Sequence, residues 1–173
     1  MTFDDLMQRI ADLDEEASLR FDNYNRLHLV IAGGGALILM GLIPRATHDI
    51  DAISVSKQLV GLMSQYDINI NVQAYVGNFP QQFESRLVPV NFTGKIIDVF
   101  TVSLEDIVIA KLYASRDKDL SDIEDPAVLS TLDWDLLHEL ATSDNEAKSS
   151  ALNERSYQEF LIAYNDYERR FRK

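Results

Sequence analysis

Three consecutive glycines, Gly33-Gly34-Gly35, stand between the apolar runs Leu27 to Ala32 and Ala36 to Leu42, and this arrangement limits the fold more than any other stretch. The first run is aliphatic and short, as in a buried strand. The second stops at Gly41 and Pro44, as a short helix does, so the segment reads as strand, turn, helix. Residues without side chains at that turn let backbone N–H groups approach a phosphate, with the helix dipole adding to the attraction. Two familiar glycine motifs are excluded. Ile38 occupies the position where GxGxxG requires glycine, and GxxxxGK[ST] does not occur. Downstream, Asp49-Ile-Asp-Ala-Ile-Ser-Val55 alternates polar with apolar residues and predicts a second strand, with a helix over Lys57 to Gln65. Ile68 to Val76, Arg86 to Phe92 and Lys95 to Val102 are further strand candidates, the last two joined by a turn at Thr93-Gly94.

Helical periodicity frames this sheet. Phe3, Leu6, Met7, Ile10, Leu13 and Ala17 recur at three-to-four spacing and predict a first helix whose acidic residues face water. Ser103 with Asp106 three residues later predicts the cap of a helix running to about Asp117 or beyond. Helices near Asp122 to Leu129 and Asp133 to Ala141 follow, then a polar stretch over Thr142 to Ser150. In the last helix Tyr157, Phe160, Tyr164, Tyr167 and Phe171 repeat at three and four. The layout is α+β, a mixed sheet with flanking helices in the first 102 residues and a helical half after it. It divides into a core over residues 1–125 and a helical appendage over 126–173 packed on it.

With 173 residues, 46% hydrophobic and 25% charged, the chain has an ordinary globular balance. Its 16 Lys+Arg against 28 Asp+Glu give a formal charge of −12, whose field repels polyanions and anionic membrane at long range. The absence of cysteine excludes disulfides, thiolate zinc sites and cysteine nucleophiles. The first twenty residues lack the basic and apolar regions of a signal peptide, and the most apolar run, Leu27 to Ile43, is too short and too glycine-rich to span a bilayer. A cytoplasmic protein without membrane segments is expected.

Chemistry concentrates on three carboxylates. Asp49 and Asp51, two apart on a strand, project from one face roughly 7 Å apart. Two carboxylates forced to about 4 Å repel by roughly 4 kcal/mol at an effective dielectric of 20, so a site that holds them close asks for a cation. Oxygen-only ligation suits Mg²⁺ or Mn²⁺. Asp98 is a third carboxylate, isolated in the apolar run Ile96-Ile-Asp-Val-Phe100. If the two strands are neighbours, three carboxylates would meet and could hold two metal ions ~3.5 to 4 Å apart for in-line phosphoryl displacement.

Gly34-Gly35, thirteen intervening residues, Asp49-Ile-Asp51 and the later Asp98 resemble the signature of the DNA polymerase β-like nucleotidyltransferase superfamily. Within it, GGGAL…GLIPRATHDID followed by SLEDIVIAKLYASRDKDLSDI is similar to the minimal AbiEii-like nucleotidyltransferases, several of which are toxins of toxin–antitoxin pairs. The resemblance covers about residues 30 to 125. It implies a nucleotidyltransferase-type mixed sheet and metal-dependent transfer of NMP from an NTP to an acceptor hydroxyl, on a tRNA or other RNA 3′ end or on a protein. It also implies Mg²⁺ or Mn²⁺ at Asp49, Asp51 and Asp98, with Asp98 activating the acceptor, roles for Lys111 and the Lys118-Asp119 pair, and a cognate antitoxin as partner. The superfamily usually has serine in the glycine turn, where this chain has Gly35. Phosphate contact there falls to the backbone of Gly33, Gly34 and Gly35 or to Thr47, with Arg45 beside it.

On one continuous helix at ~100° per residue, Ser115, Lys118, Asp119 and Asp122 fall within about 80° of Lys111, a polar stripe that would bring Lys111 to a nucleotide phosphate. The bland reading of that stripe is a solvated, salt-bridged face. The aromatic stripe of the last helix reads first as core or dimer packing, and Arg169-Arg-Phe-Arg-Lys173 is the one concentrated basic patch, a candidate RNA or partner contact. The three histidines read as structural. Two further functions compete with the enzyme: a catalytically degenerate module that binds nucleotide or a partner, and an Asp-x-Asp phosphohydrolase. The latter's motif would continue with Gly-Thr, where Ala52-Ile53 stands.

Overall fold

Alternation along the sequence becomes sheet wherever backbone partners exist on both sides. The computed structural model describes residues 1–44, 47–70 and 78–173. The chain forms two compact units, Met1–Val72 with Leu87–Val102, and Gln73–Arg86 with Ser103–Lys173.

The first unit opens with helix α1 (Phe3–Arg20), capped by a reciprocal Thr2–Asp5 box. Strand β1 (Leu27–Ile31), helix α2 (Gly33–Leu39) and strand β2 (Ile50–Val55) follow. After β2 a 3₁₀ turn at Lys57–Leu59, helix α3 (Val60–Met63) and a second 3₁₀ turn at Ser64–Tyr66 form a broken version of the expected helix. Strands β3 (Ile68–Asn69), β4 (Val88–Pro89) and β5 (Ile97–Thr101) complete a mixed sheet in the order β3-β2-β1-β5-β4. β1 pairs antiparallel with β2 and parallel with β5, so β1 lies between the strands that carry Asp51 and Asp98. Leu6, Ile10, Leu13 and Ala17 of α1 are fully buried, as are Leu29, Ile31 and Ile97.

Three expectations need correction here, and a fourth is met only as far as the described residues reach. The glycines are the first turn of α2 rather than a turn before it, because the helix begins directly at the end of β1. Asp14 does not face water. It is 4% exposed and accepts the backbone N–H groups of Lys95, Ile96 and Ile97. The strand over Arg86 to Phe92 shrinks to Val88–Pro89, since Pro89 has no N–H to donate and Phe83–Arg86 winds into a 3₁₀ turn. The strand over Ile68 to Val76 is seen as Ile68–Asn69, and residues 71–77 lie outside the described residues.

The second unit contains α4 (Leu104–Ala114), α5 (Asp117–Ile123), α6 (Pro126–Thr131), α7 (Trp134–Thr142), α8 (Ala147–Ser150) and α9 (Glu154–Phe171). Ser103 caps α4 as expected, its Oγ accepting from Asp106 N at 3.2 Å. The helix does not run to Asp117. Ser115 adopts a left-handed conformation (φ 51°) and accepts no further turn, so α5 is a separate helix. The aromatic stripe of α9 packs inward: Tyr157, Phe160, Tyr164 and Tyr167 are buried, Phe160 stacks on Tyr113 at 4.3 Å, and the Tyr167 hydroxyl donates to Ile123 O at 2.6 Å. Arg86 joins the buried Asp106 (Nη2–Oδ1 2.8 Å) to Glu146 (3.0 Å), holding the 3₁₀ turn against the start of α4. Among the described residues, no helix is long and apolar enough to cross a membrane.

Candidate active site

Gly33 and Asp51 come together at the end of β1, and Asp49 precedes Asp51 by two residues. Ala32 N donates to Asp51 O at 2.8 Å, which sets Asp51 opposite the residue just before the glycines. Gly33 has φ +61°, a conformation side chains disfavour, and a Cβ there would sit 3.3 Å from Asp51 Oδ2. The Asp51 carboxylate therefore lies against the bare backbone where α2 begins. Asp49 precedes β2 on the same side, and its Oδ2 accepts from Asn69 Nδ2 at 2.5 Å, a contact with β3 that the sequence did not disclose. Thr47 is buried and its hydroxyl donates to Asp49 O at 2.9 Å, so it braces the loop that presents Asp49. Arg45 lies outside the described residues. Gly34 is half-buried in α2. A Cβ at Gly35 would meet Ile31 at 3.5 Å and Leu6 at 3.8 Å, so a side chain at this position would enter the core and any phosphate contact from it is through backbone.

Gly33→Ala is expected to reduce activity more than stability. The left-handed backbone costs roughly 1–2 kcal/mol for a residue with a Cβ, and the added methyl pushes on Asp51. Parallel measurement of turnover and thermal midpoint checks this, and an alanine variant with full turnover would contradict it.

Asp98 does not join the pair. It lies opposite His28 in the parallel β1–β5 register, four residues along β1 from Ala32, so it is about 13 Å from Asp51 along the strand direction with β1 between them. Its Oδ1 accepts from Arg26 Nη2 at 2.6 Å, and these hydrogen bonds hold the carboxyl below the usual range. Among the described residues no three His, Cys, Asp or Glu side chains are grouped as metal ligands. At the level of Asp98, His28 lies within hydrogen-bond distance of Ser56 (3.0 Å) and Ser54 (3.2 Å).

The remaining candidates belong to the second unit. Lys111 is 7% exposed, and its Nζ donates to Asp119 at 2.9 Å and to Asp122 at 2.8 Å. Arg116 Nε donates to Asp119 at 2.6 Å, and Lys118 is exposed on α5. The predicted association of Lys111, Asp119 and Asp122 thus arises from α5 folding against α4 rather than from one continuous helix. Burial pushes Asp119 up, but the hydrogen bonds and charges of Arg116 and Lys111 outweigh it and leave the carboxyl below its ordinary value. At the basic C-terminal patch, Arg169 pairs with Asp166, Arg170 with Glu124, and Arg172 with Glu168 and Asp135, so each of its arginines faces an acid.

Sequence reasoning missed Arg26, Asn69 and Asp14. Arg26 left a signal, as a cation directly before a strand in a chain whose neighbouring strand carries a lone aspartate, and so did Asp14, which falls among the apolar directions of α1. A family model described as "Nucleotidyltransferase of unknown function (DUF6036)" matches residues 8–172. No curated protein and no solved structure matches the chain.

Proposed function

Because the chain belongs to this DUF6036 family of nucleotidyltransferases, we propose that it transfers NMP from an NTP to an acceptor hydroxyl in a Mg²⁺- or Mn²⁺-dependent reaction. The observation that carries the reading is the approach of Asp51 to the side-chain-free start of α2, with Asp49 beside it. Two carboxylates at one strand end, with backbone amides next to them, suit a cation and the triphosphate it accompanies. Asp49 and Asp51 would hold a divalent cation that offsets triphosphate charge, while the acceptor O–H gives its proton to water, its oxygen bonds to the α-phosphorus and the bond to pyrophosphate breaks. Asn69 and Thr47 hold Asp49 in place, and Gly33 leaves room for Asp51 to face the same point.

The acceptor in this proposal is the 3′ end of a structured RNA of tRNA size. A formal charge of −12 suits contact with one end of a polyanion rather than wrapping along it. The resemblance of GGGAL…GLIPRATHDID to AbiEii-like enzymes extends the proposal to a cytoplasmic toxin restrained by a cognate antitoxin. A catalytically degenerate nucleotide-binding module is the second reading, favoured by the pairing of Asp98 with Arg26.

Labelled NTPs, Mg²⁺ and total cellular RNA test both. A labelled tRNA-sized species that disappears with Asp51→Asn or Asp49→Ala supports the enzyme. Labelled protein with unlabelled RNA replaces the acceptor, and no label with Mg²⁺ or Mn²⁺ supports the degenerate module.

A further inference from the structure

A carboxylate inside the apolar run Ile96 to Phe100 has a partner in Arg26, just before β1, which takes its Oδ1. Nη2 and Nε of Arg26 donate to Asp98 Oδ1 at 2.6 and 3.2 Å. Held in that plane, the same guanidinium donates from Nη1 to the carbonyls of Gly94 (3.2 Å) and Lys95 (3.0 Å) and from Nη2 to that of Ile97 (3.4 Å). The amides of this segment are taken by Asp14 of α1, at 2.7 Å from Lys95 N, 3.0 Å from Ile96 N and 2.9 Å from Ile97 N. Residues 94–97 are therefore gripped through their carbonyls by Arg26 and through their amides by Asp14. The segment is so tight that a Cβ at Gly94 would sit 2.4 Å from Ile97 O. It leads directly into β5 and sets the register that places Asp98 opposite His28.

Metal geometry gives the complementary argument. Mg²⁺ takes its oxygens at about 2.1 Å, so ligands of one ion lie within about 4 Å of each other. Even a two-ion site, with ions ~3.5 to 4 Å apart, joins ligand oxygens within about 8 Å. Asp51 and Asp98 are about 13 Å apart along the strands and two strand spacings of about 4.8 Å apart across them, so even with both side chains turned toward each other their oxygens stay more than about 8 Å apart.

We propose that Asp98 is a positioning residue and not a metal ligand: it orients Arg26, which fastens the 94–97 segment and with it the start of β5. A cation at the site is then carried by Asp49 and Asp51 alone, with nucleotide phosphates and water completing its shell, a common arrangement for Mg²⁺. The second half of this statement rests on the nucleotidyl-transfer reading, whereas the coupling of Asp98 to Arg26 does not. Both side chains are 46% exposed, so the ion pair by itself contributes little, and the effect of losing either partner comes from releasing the segment's carbonyls.

The test uses the full chain with Arg26→Ala, Asp98→Ala and the double variant, compared by thermal unfolding. Mn²⁺ binding is followed by electron paramagnetic resonance, alone and with an equimolar mixture of the four α,β-methylene NTP analogues. Each single variant should lower the midpoint by roughly 3–8 °C, and the double variant should lie no lower than the worse single, because both remove one device. Mn²⁺ binding should persist in Asp98→Ala, be lost in Asp51→Asn, and be much tighter with nucleotide than without. If Asp98→Ala does not fold, Asp98→Asn keeps an acceptor for Arg26 and takes its place. Loss of Mn²⁺ binding in an Asp98 variant with the wild-type midpoint overturns the proposal, as do midpoint losses that add in the double variant. Wild-type protein that binds no Mn²⁺ under either condition defeats the nucleotidyl-transfer reading, while the double variant still decides the role of Asp98.

Discussion

Replacing Asp14 by alanine is expected to destabilise the protein by about 3–5 kcal/mol, because three backbone N–H groups lose their acceptor together. The groups are those of Lys95, Ile96 and Ile97, and the last two bonds are buried. With total stabilities of about 5–15 kcal/mol for domains of this kind, such a loss removes a large fraction of the margin. Asp14→Asn keeps one acceptor oxygen but places an amide against backbone donors, so it should fall between the wild type and alanine. Urea unfolding at neutral pH measures both. A loss under about 1 kcal/mol for Asp14→Ala would mean that water replaces the carboxylate at little cost.

Lys111→Met should be comparably severe, about 3–5 kcal/mol, since it leaves two buried carboxylates without their shared ammonium. Asp119 and Asp122 side chains are 5% and 2% exposed, and Lys111 bonds to both. The pH dependence has a definite sign. Arg116 and Lys111 hold Asp119 below its ordinary value despite the opposing effect of burial, so its contribution is present above the unfolded carboxylate pKa and is lost as pH falls through the lower folded one. Wild-type stability should therefore decline below about pH 4. The variant should lose less on acidification, because without Lys111 only Arg116 opposes the burial that pushes Asp119 up, and the gap between its folded and unfolded values narrows. Urea midpoints across pH 3 to 7 check both curves. A Lys111→Met protein with wild-type stability and weakened nucleotide binding would instead assign Lys111 to the triphosphate.

Local patterns were legible wherever one short segment contained all the information. The capping residue Ser103, the inward aromatic face of α9 and the strand–glycine–helix unit each depend on neighbours a few residues away, and each was predictable. The failures share a cause as well. At ~100° per residue Asp14 falls between Phe3 and Met7 on the apolar face of α1, unlike Asp12 and Glu15, but the groups it binds left no mark near it, because those amides lie more than eighty residues away. Ser115 ends α4 within a charge-rich stretch that has helical periodicity on both sides, so the break between α4 and α5 left no mark.

The sequence by itself determined the α+β layout and a nucleotidyltransferase family, because these rest on residue types at short, regular spacing. Which carboxylates meet was decided only by the tertiary structure. Strand order puts β1 between β2 and β5, and register then places Asp51 opposite Ala32 and Asp98 opposite His28. Spacing along a chain specifies which face a side chain takes, since alternation is local. It does not specify how far one strand slides against another, because that offset is set by distant contacts such as those Asp14 and Arg26 make with residues 94–98.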